Sequence, residues 1–198
     1  MSLEIKEGMF TVGIDDAAHK KGDKTCELFF VFCRGRYIER ISHFPIDVDG
    51  FNATETIINT LKPNPDLFTL ITIHGVTVGG FNMIDLQMVY DQLKKPILAI
   101  TENKPHGRAI FDAILKLPDV EKRKEIIQHA GPMYTYSSKF GTNDVFYYLK
   151  GITEDTAKKF LAKFAFRAKL PEPVLLSHKI ASGFQQPGLI AQKNAGKN

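Results

Sequence analysis

The hydrophobic pattern of this chain changes period once, at Asn52, and that change restricts the folds open to it more than any other feature. Before it, apolar residues form short β-prone runs: Phe10 to Ile14, ending at the pair Asp15-Asp16; Cys26 to Cys33, nearly all apolar; and, after Arg34-Gly35-Arg36, the alternating segment Tyr37 to Phe44. These predict three strands in an antiparallel meander. The first strand delivers a carboxylate pair to its C-terminal end.

After it, helical stripes alternate with buried strands. Asn52 and Glu55 have capping-box spacing ahead of the stripe Ile57, Ile58 and Leu61, which Pro63 stops. Leu67 to Ile73 reads as a buried parallel strand, followed by a glycine-rich loop from Gly75 to Gly80. A helix starting near Asn82, with Leu86, Val89, Tyr90 and Leu93 on one face, ends at Pro96, and Ile97 to Ile100 starts another strand. Strand, helix, strand is a βαβ unit. Helices are expected over Arg108–Leu115 and Val120–Ala130, strands at Met133–Ser137 and Val145–Leu149, and a helix capped by Thr153 that buries Ala157, Phe160, Leu161, Phe164 and Ala168. Pro171-Glu172-Pro173 introduces a last helix through Ala181. One domain is expected over 1–184, with a polar tail over 185–198. The fold class is α/β, and the order of elements resembles the ribonuclease H-like architecture: a mixed sheet of three antiparallel opening strands and then parallel βαβ units, flanked by helices.

Composition narrows the function without naming it. Hydrophobic residues make up 43% and charged residues 24%, which excludes a disordered or collagen-like chain. Lysine and arginine number 26 against 22 acidic residues, a net charge of +4, which permits an anionic partner but does not demand one. Cys26 and Cys33 are an odd number of residues apart on one strand, so they face opposite ways and predict reduced thiols rather than a disulfide. Their spacing matches no zinc motif. No run approaches the ~18 apolar residues of a membrane span, and the first nine residues lack an apolar signal core, so a cytoplasmic protein is expected.

Carboxylates at adjacent strand ends repel, and a divalent cation relieves that repulsion while binding phosphate oxygens. The candidates are Asp15 and Asp16, Asp47 and Asp49, and Asp85. A turn explains Asp47 and Asp49 equally well; for Asp15 and Asp16 the end of an expected central strand favours a site over a turn, and a helix cap explains Asp85 better. His74 directly follows a buried strand and precedes a glycine, which suits either a ligand or a histidine bonded to its own loop. His178 lies on an apolar helix face, where it is either a satisfied buried histidine or a site residue. Lys104, after the Ile97–Ile100 strand, is placed to meet a phosphate. Gly75, Gly79 and Gly80 form no dinucleotide fingerprint. Lys158 and Lys159 fall off the core stripe of their helix, on a solvated face.

Four motifs in order, GIDDA (13–17), DVDGFNAT (47–54), HGVTVGGFNMIDL (74–86) and PEPVLLSHKIASG (171–183), resemble an archaeal deoxyuridine endonuclease-like family (DUF99/UPF0215) that is itself similar to endonuclease V. The resemblance implies a ribonuclease H-like fold and metal-dependent cleavage of nucleic acid, chiefly DNA, near a deaminated base, with Mg2+ or Mn2+ as cofactor. It implies Asp15, Asp49 and His74 as metal ligands, Lys104 as a catalytic partner, and Gly75, Gly79, Gly80 and His178 around the substrate. Where endonuclease V has a metal-binding aspartate on the fourth strand, this chain has His74, and Asp49 is only the nearest acidic candidate for its glutamate. The alternative is a non-catalytic nucleic-acid-binding module that kept the fold. With several carboxylates crowded together, loss of Asp15 is expected to leave the melting temperature unchanged or raised.

Overall fold

Backbone pairing makes the Phe10–Asp16 strand (β1) the hinge between the two halves of the pattern. In the computed structural model, which describes residues 3–104, 112–140 and 144–184, β1 pairs antiparallel with β2 (Thr25–Arg34) on one side and parallel with β4 (Leu70–His74) on the other. β3 (Tyr37–Asp47) completes the meander. Beyond β4 lie β7 (Ile97–Thr101), parallel to it, and then β9 (Val145–Lys150) and β8 (Tyr134–Tyr136), both antiparallel to their neighbours. The seven-stranded order is β3-β2-β1-β4-β7-β9-β8. The parallel trio β1, β4 and β7 ends along one edge at Asp16, His74 and Thr101, the edge at which open α/β sheets bind ligands.

Two cores clamp the sheet. Val12 and Ile14 of β1 join Leu28, Phe30 and Phe32 of β2 against α1 (Ala53–Leu61) and α2 (Leu86–Leu93). On the other face Leu70, Leu98, Ile100 and Tyr147 pack with Phe160, Leu161 and Phe164 of α4 (Glu154–Phe164) and with Val174 of α5 (Glu172–Phe184). α3 (Val120–Ala130) packs beside α2. Gly13 sets how closely α5 approaches β1: a Cβ there would lie 2.0 Å from the Pro173 carbonyl oxygen and 3.2 Å from Ser177 Oγ. Only glycine permits that contact.

Several local expectations change. Asn52 makes no side-chain cap; its Oδ1 accepts from the Asp47 N–H and from Asn82 Nδ2, while the Ala53 N–H at the start of α1 donates to Asn82 Oδ1. A partner thirty residues away replaces the capping box. Asn82 is therefore not the start of a helix either. It belongs to a two-stranded hairpin, β5 (Thr77–Val78) with β6 (Asn82–Met83), inside the glycine-rich loop. α2 begins at Leu86 instead, where Asp85 Oδ1 accepts the Met88 N–H at 2.9 Å. Residues 65–67 form a 3-10 turn, so the strand starts at Leu70 rather than Leu67. α4 stops at Phe164, four residues before Ala168. Thr153 caps it as expected, and Lys158 and Lys159 pair on the surface with Glu154 and Asp155. Of the helix expected over Arg108–Leu115, residues 112–115 are described: 112–114 are helical and Leu115 lies in a turn; the tail over 185–198 lies outside the described residues. Among the described residues, no helix is long and apolar enough to cross a membrane.

Candidate active site

Strand alternation sends Gly13 and Asp15 to the α5 face of the sheet, and the C-terminal half of β4 brings His74 alongside. α5, held close by Gly13, carries His178 over the same edge. Asp15 Oδ2 accepts two hydrogen bonds, from His178 Nδ1 at 2.7 Å and from His74 Nδ1 at 3.0 Å. Its Oδ1 accepts the Asp16 N–H at 3.0 Å. The imidazoles meet edge to face, with centroids 4.7 Å apart. Asp15 is 4% exposed, whereas the His178 side chain is 44% exposed, so the cluster opens to solvent on the α5 side.

The electrostatics follow from these contacts. Burial pushes the Asp15 carboxyl up, but the hydrogen bonds from His178 and His74 and the charges on both rings outweigh it and hold the group below its ordinary value. The Asp15 hydrogen bond raises His178 above the usual imidazole range against the opposing effect of burial, with help from the charge of Glu102 just past β7. The surroundings of Asp15 are thus two histidines, not a crowd of carboxylates. The basis for expecting a higher melting temperature on its loss is gone.

The other candidates divide. Asp49, in the left-handed region at φ 57°, is not brought to this cluster. Its Oδ1 accepts the Phe81 N–H at 2.8 Å and its N–H donates to the Gly79 carbonyl. The fully buried Arg123 guanidinium binds the Asp49 and Phe81 carbonyls, so Asp49 ties two loops together. Asp47 joins the same knot through Asn52 and Asn82. Asp85 caps α2 and accepts from His129 Nδ1 at 2.7 Å. Lys104 is exposed, three residues past β7. An added Cβ on Gly75, which follows His74, would come no closer than 3.8 Å to any residue beyond its chain neighbours. Gly79 and Gly80 instead pack against Cys26 and Asp49. Sequence reasoning missed Glu102; its place immediately after the third parallel strand was the available signal.

Asp15, His74 and His178 each offer a ligand atom within 4.8 Å of the others. One oxygen and two nitrogens suit manganese or a later first-row ion better than magnesium, which prefers oxygen.

Comparison with known proteins places this geometry in context. The family model for endonuclease dU matches residues 7–185. A UPF0215 protein of Archaeoglobus fulgidus is 31% identical over 173 residues, covering 86% of this chain and 91% of the relative. One from Methanosarcina barkeri is 31% identical, covering 92% and 94%. Among solved structures, a protein of unknown function from Archaeoglobus fulgidus superposes with a TM-score of 0.78 at 29% identity, over 87% of this chain and 96% of that one. Endonuclease V of Ciona intestinalis, in complex with a DNA 24mer containing an inosine followed by a ribo-adenosine, has a TM-score of 0.56 at 10% identity, covering 87% and 84%. At that identity the likeness is one of fold: a ribonuclease H-like mixed α/β sheet.

Proposed function

The chain belongs to the endonuclease dU family, and from that premise we propose that it is a divalent-metal-dependent endonuclease cleaving DNA near a deaminated base. The observation that carries the reading is the convergence of Asp15, His74 and His178 at the open end of the parallel strands. In this reading these three residues hold the ion. When bound, it stabilises charge on the phosphoryl oxygens and lowers the pKa of a water.

The chain's own residues supply the remainder. Asp15, almost wholly buried, fixes both imidazole orientations through one oxygen, so the ring edges toward solvent are set before substrate arrives. His178, the most exposed of the three side chains, is in this reading a ligand whose free ring edge faces the side from which substrate arrives. Lys104 meets a backbone phosphate, and Gly75 lets the strand or an extruded base approach His74 without a side chain in the way. Asp49 has a structural task in this reading, bracing the loop after β4.

The test uses end-labelled duplexes carrying one deoxyuridine, one deoxyinosine or no lesion, incubated with purified protein in Mg2+ or Mn2+. Nicking of a lesion duplex, faster with Mn2+, is the expected result. Binding to lesion duplexes without nicking in any divalent ion would overturn the catalytic reading in favour of a non-catalytic nucleic-acid-binding module.

A further inference from the structure

On the far face of β1, one residue along from Asp15, a second set of side chains meets. The Asp16 carboxylate, a ring nitrogen of His19 and the Cys26 thiol lie with their potential ligand atoms within 4.8 Å of one another. We propose that Asp16, His19 and Cys26 bind a thiophilic divalent cation of the zinc class, distinct from the ion of the endonuclease site.

Strand register brings the first and last of these together. Asp16 pairs with Leu28, and Cys26 is two residues from Leu28, so Asp16 and Cys26 project from the same face. His19 lies in the connection between β1 and β2. The roof is the glycine-rich loop. A Cβ on Gly79 would sit 3.0 Å from Cys26 Sγ, and one on Gly80 would sit 3.7 Å from His19 Nε2. Both positions lack side chains where a side chain would fill the space beside the donors. The Gly79 N–H also donates to Asp16 Oδ2 at 2.9 Å, which fixes the carboxylate.

One sulfur, one nitrogen and one oxygen form a donor set that zinc-class ions accept in four-coordinate geometry, with one position left for water or a ligand. Magnesium and calcium, which want oxygen, do not fit it. Nor is this the second ion of a two-metal catalytic pair, whose members lie about 3.5–4 Å apart over one substrate; Asp15 and Asp16 point to opposite faces of the sheet. On binding, Cys26 releases its proton to solvent as the metal–sulfur bond forms. The ion then ties the 17–24 connection and the glycine-rich loop to the end of β1.

The test is a cobalt(II) titration of full-length, metal-free protein carrying Asp15→Asn and His74→Ala, which weaken the other site. One equivalent of cobalt is expected to give a near-ultraviolet thiolate-to-cobalt charge-transfer band. Adding Cys26→Ser abolishes the band and adding Cys33→Ser leaves it. Adding His19→Ala, a loop change that tests the site even if Cys26→Ser fails to fold, weakens cobalt binding by more than about tenfold. No band in the parent, a band that survives Cys26→Ser, or cobalt binding unmoved by His19→Ala would overturn the proposal.

Discussion

Asp15 and Asp16 are neighbours in sequence, both largely withdrawn from water, and their carboxyls are displaced in opposite directions. Asp15 sits below its ordinary value because two imidazoles outweigh burial. Asp16 sits above it because burial and the neighbouring Asp15 charge outweigh the Gly79 and Asp16 backbone N–H groups and the charge of His19. The backbone is common to both; the faces are not. One face was built around charge-matching partners, and the other closes over a carboxylate with a glycine loop. In a strand, the chemistry of a residue follows the element packed on its face more than the residue beside it.

The largest expected effect breaks the Asp15 face alone. Gly13→Ala drives a methyl into the Pro173 carbonyl, so α5 must lift from β1 and carry His178 away. A loss of about 3 kcal/mol in urea unfolding is expected, together with loss of DNA nicking. A variant with unchanged unfolding free energy would mean that α5 is not held as described.

Next in size is the contrast between the carboxylates in chelated, metal-free protein at neutral pH. Asp15→Ala removes the shared acceptor of two imidazole N–H groups and should cost about 2 kcal/mol. Asp16→Asn keeps an acceptor for the Gly79 N–H and removes a disfavoured charge, so stability should hold or rise. Equal losses in thermal melts would erase the comparison.

His74→Asp sharpens it by turning the nitrogen-rich site toward oxygen. The ratio of magnesium- to manganese-supported nicking should rise by about tenfold. A ratio that stays put while DNA affinity falls would place His74 in the loop's structure rather than at the metal.

The smallest effect is pH-dependent. The Asp15 contribution is present above its unfolded value near 3.8 and is lost as pH falls through the depressed folded value. The His178 contribution is complete below 6.5 and is lost as pH rises through the raised folded value. His178→Gln keeps a neutral donor to Asp15 and removes the charge. In chelated protein, the stability advantage of wild type over this variant should therefore be greatest between those two values and shrink as the solution turns alkaline. An advantage that grows with pH would contradict the ion pair.

Much of this was legible from order and period. Three β runs followed by a βαβ unit place Asp15 at the end of a central strand and His74 beside it, and the sheet follows that order as far as β7. The residue pattern alone shows His178 as a histidine on an apolar face and the resemblance puts it around the substrate, but nothing local says that Gly13 draws α5 down over Asp15. Long-range pairing defeated the local signals elsewhere. Asn52 and Glu55 have capping-box spacing, yet Asn82 caps α1, and the same Asn82 therefore cannot start α2. In sequence Asp49 is equally a turn residue and the nearest acidic candidate for a metal ligand, and in the structure the Phe81 N–H takes its oxygen. Local spacing relates Cys26 only to Cys33, within one strand, whereas its neighbours Asp16 and His19 come from before the hairpin and depend on the β1–β2 register.

On the proposed reading, the imidazole-held carboxylate of Asp15 organises a hydrolytic site. The most direct test is the single-turnover nicking rate of Asp15→Asn on a deoxyuridine duplex in Mn2+, measured beside wild type with duplex binding followed in parallel. The expected result is a rate reduced by about a thousandfold or more, on the order of 4 kcal/mol of barrier, with duplex binding retained. A variant that nicks within about tenfold of wild type would mean that Asp15 does not organise the reacting centre.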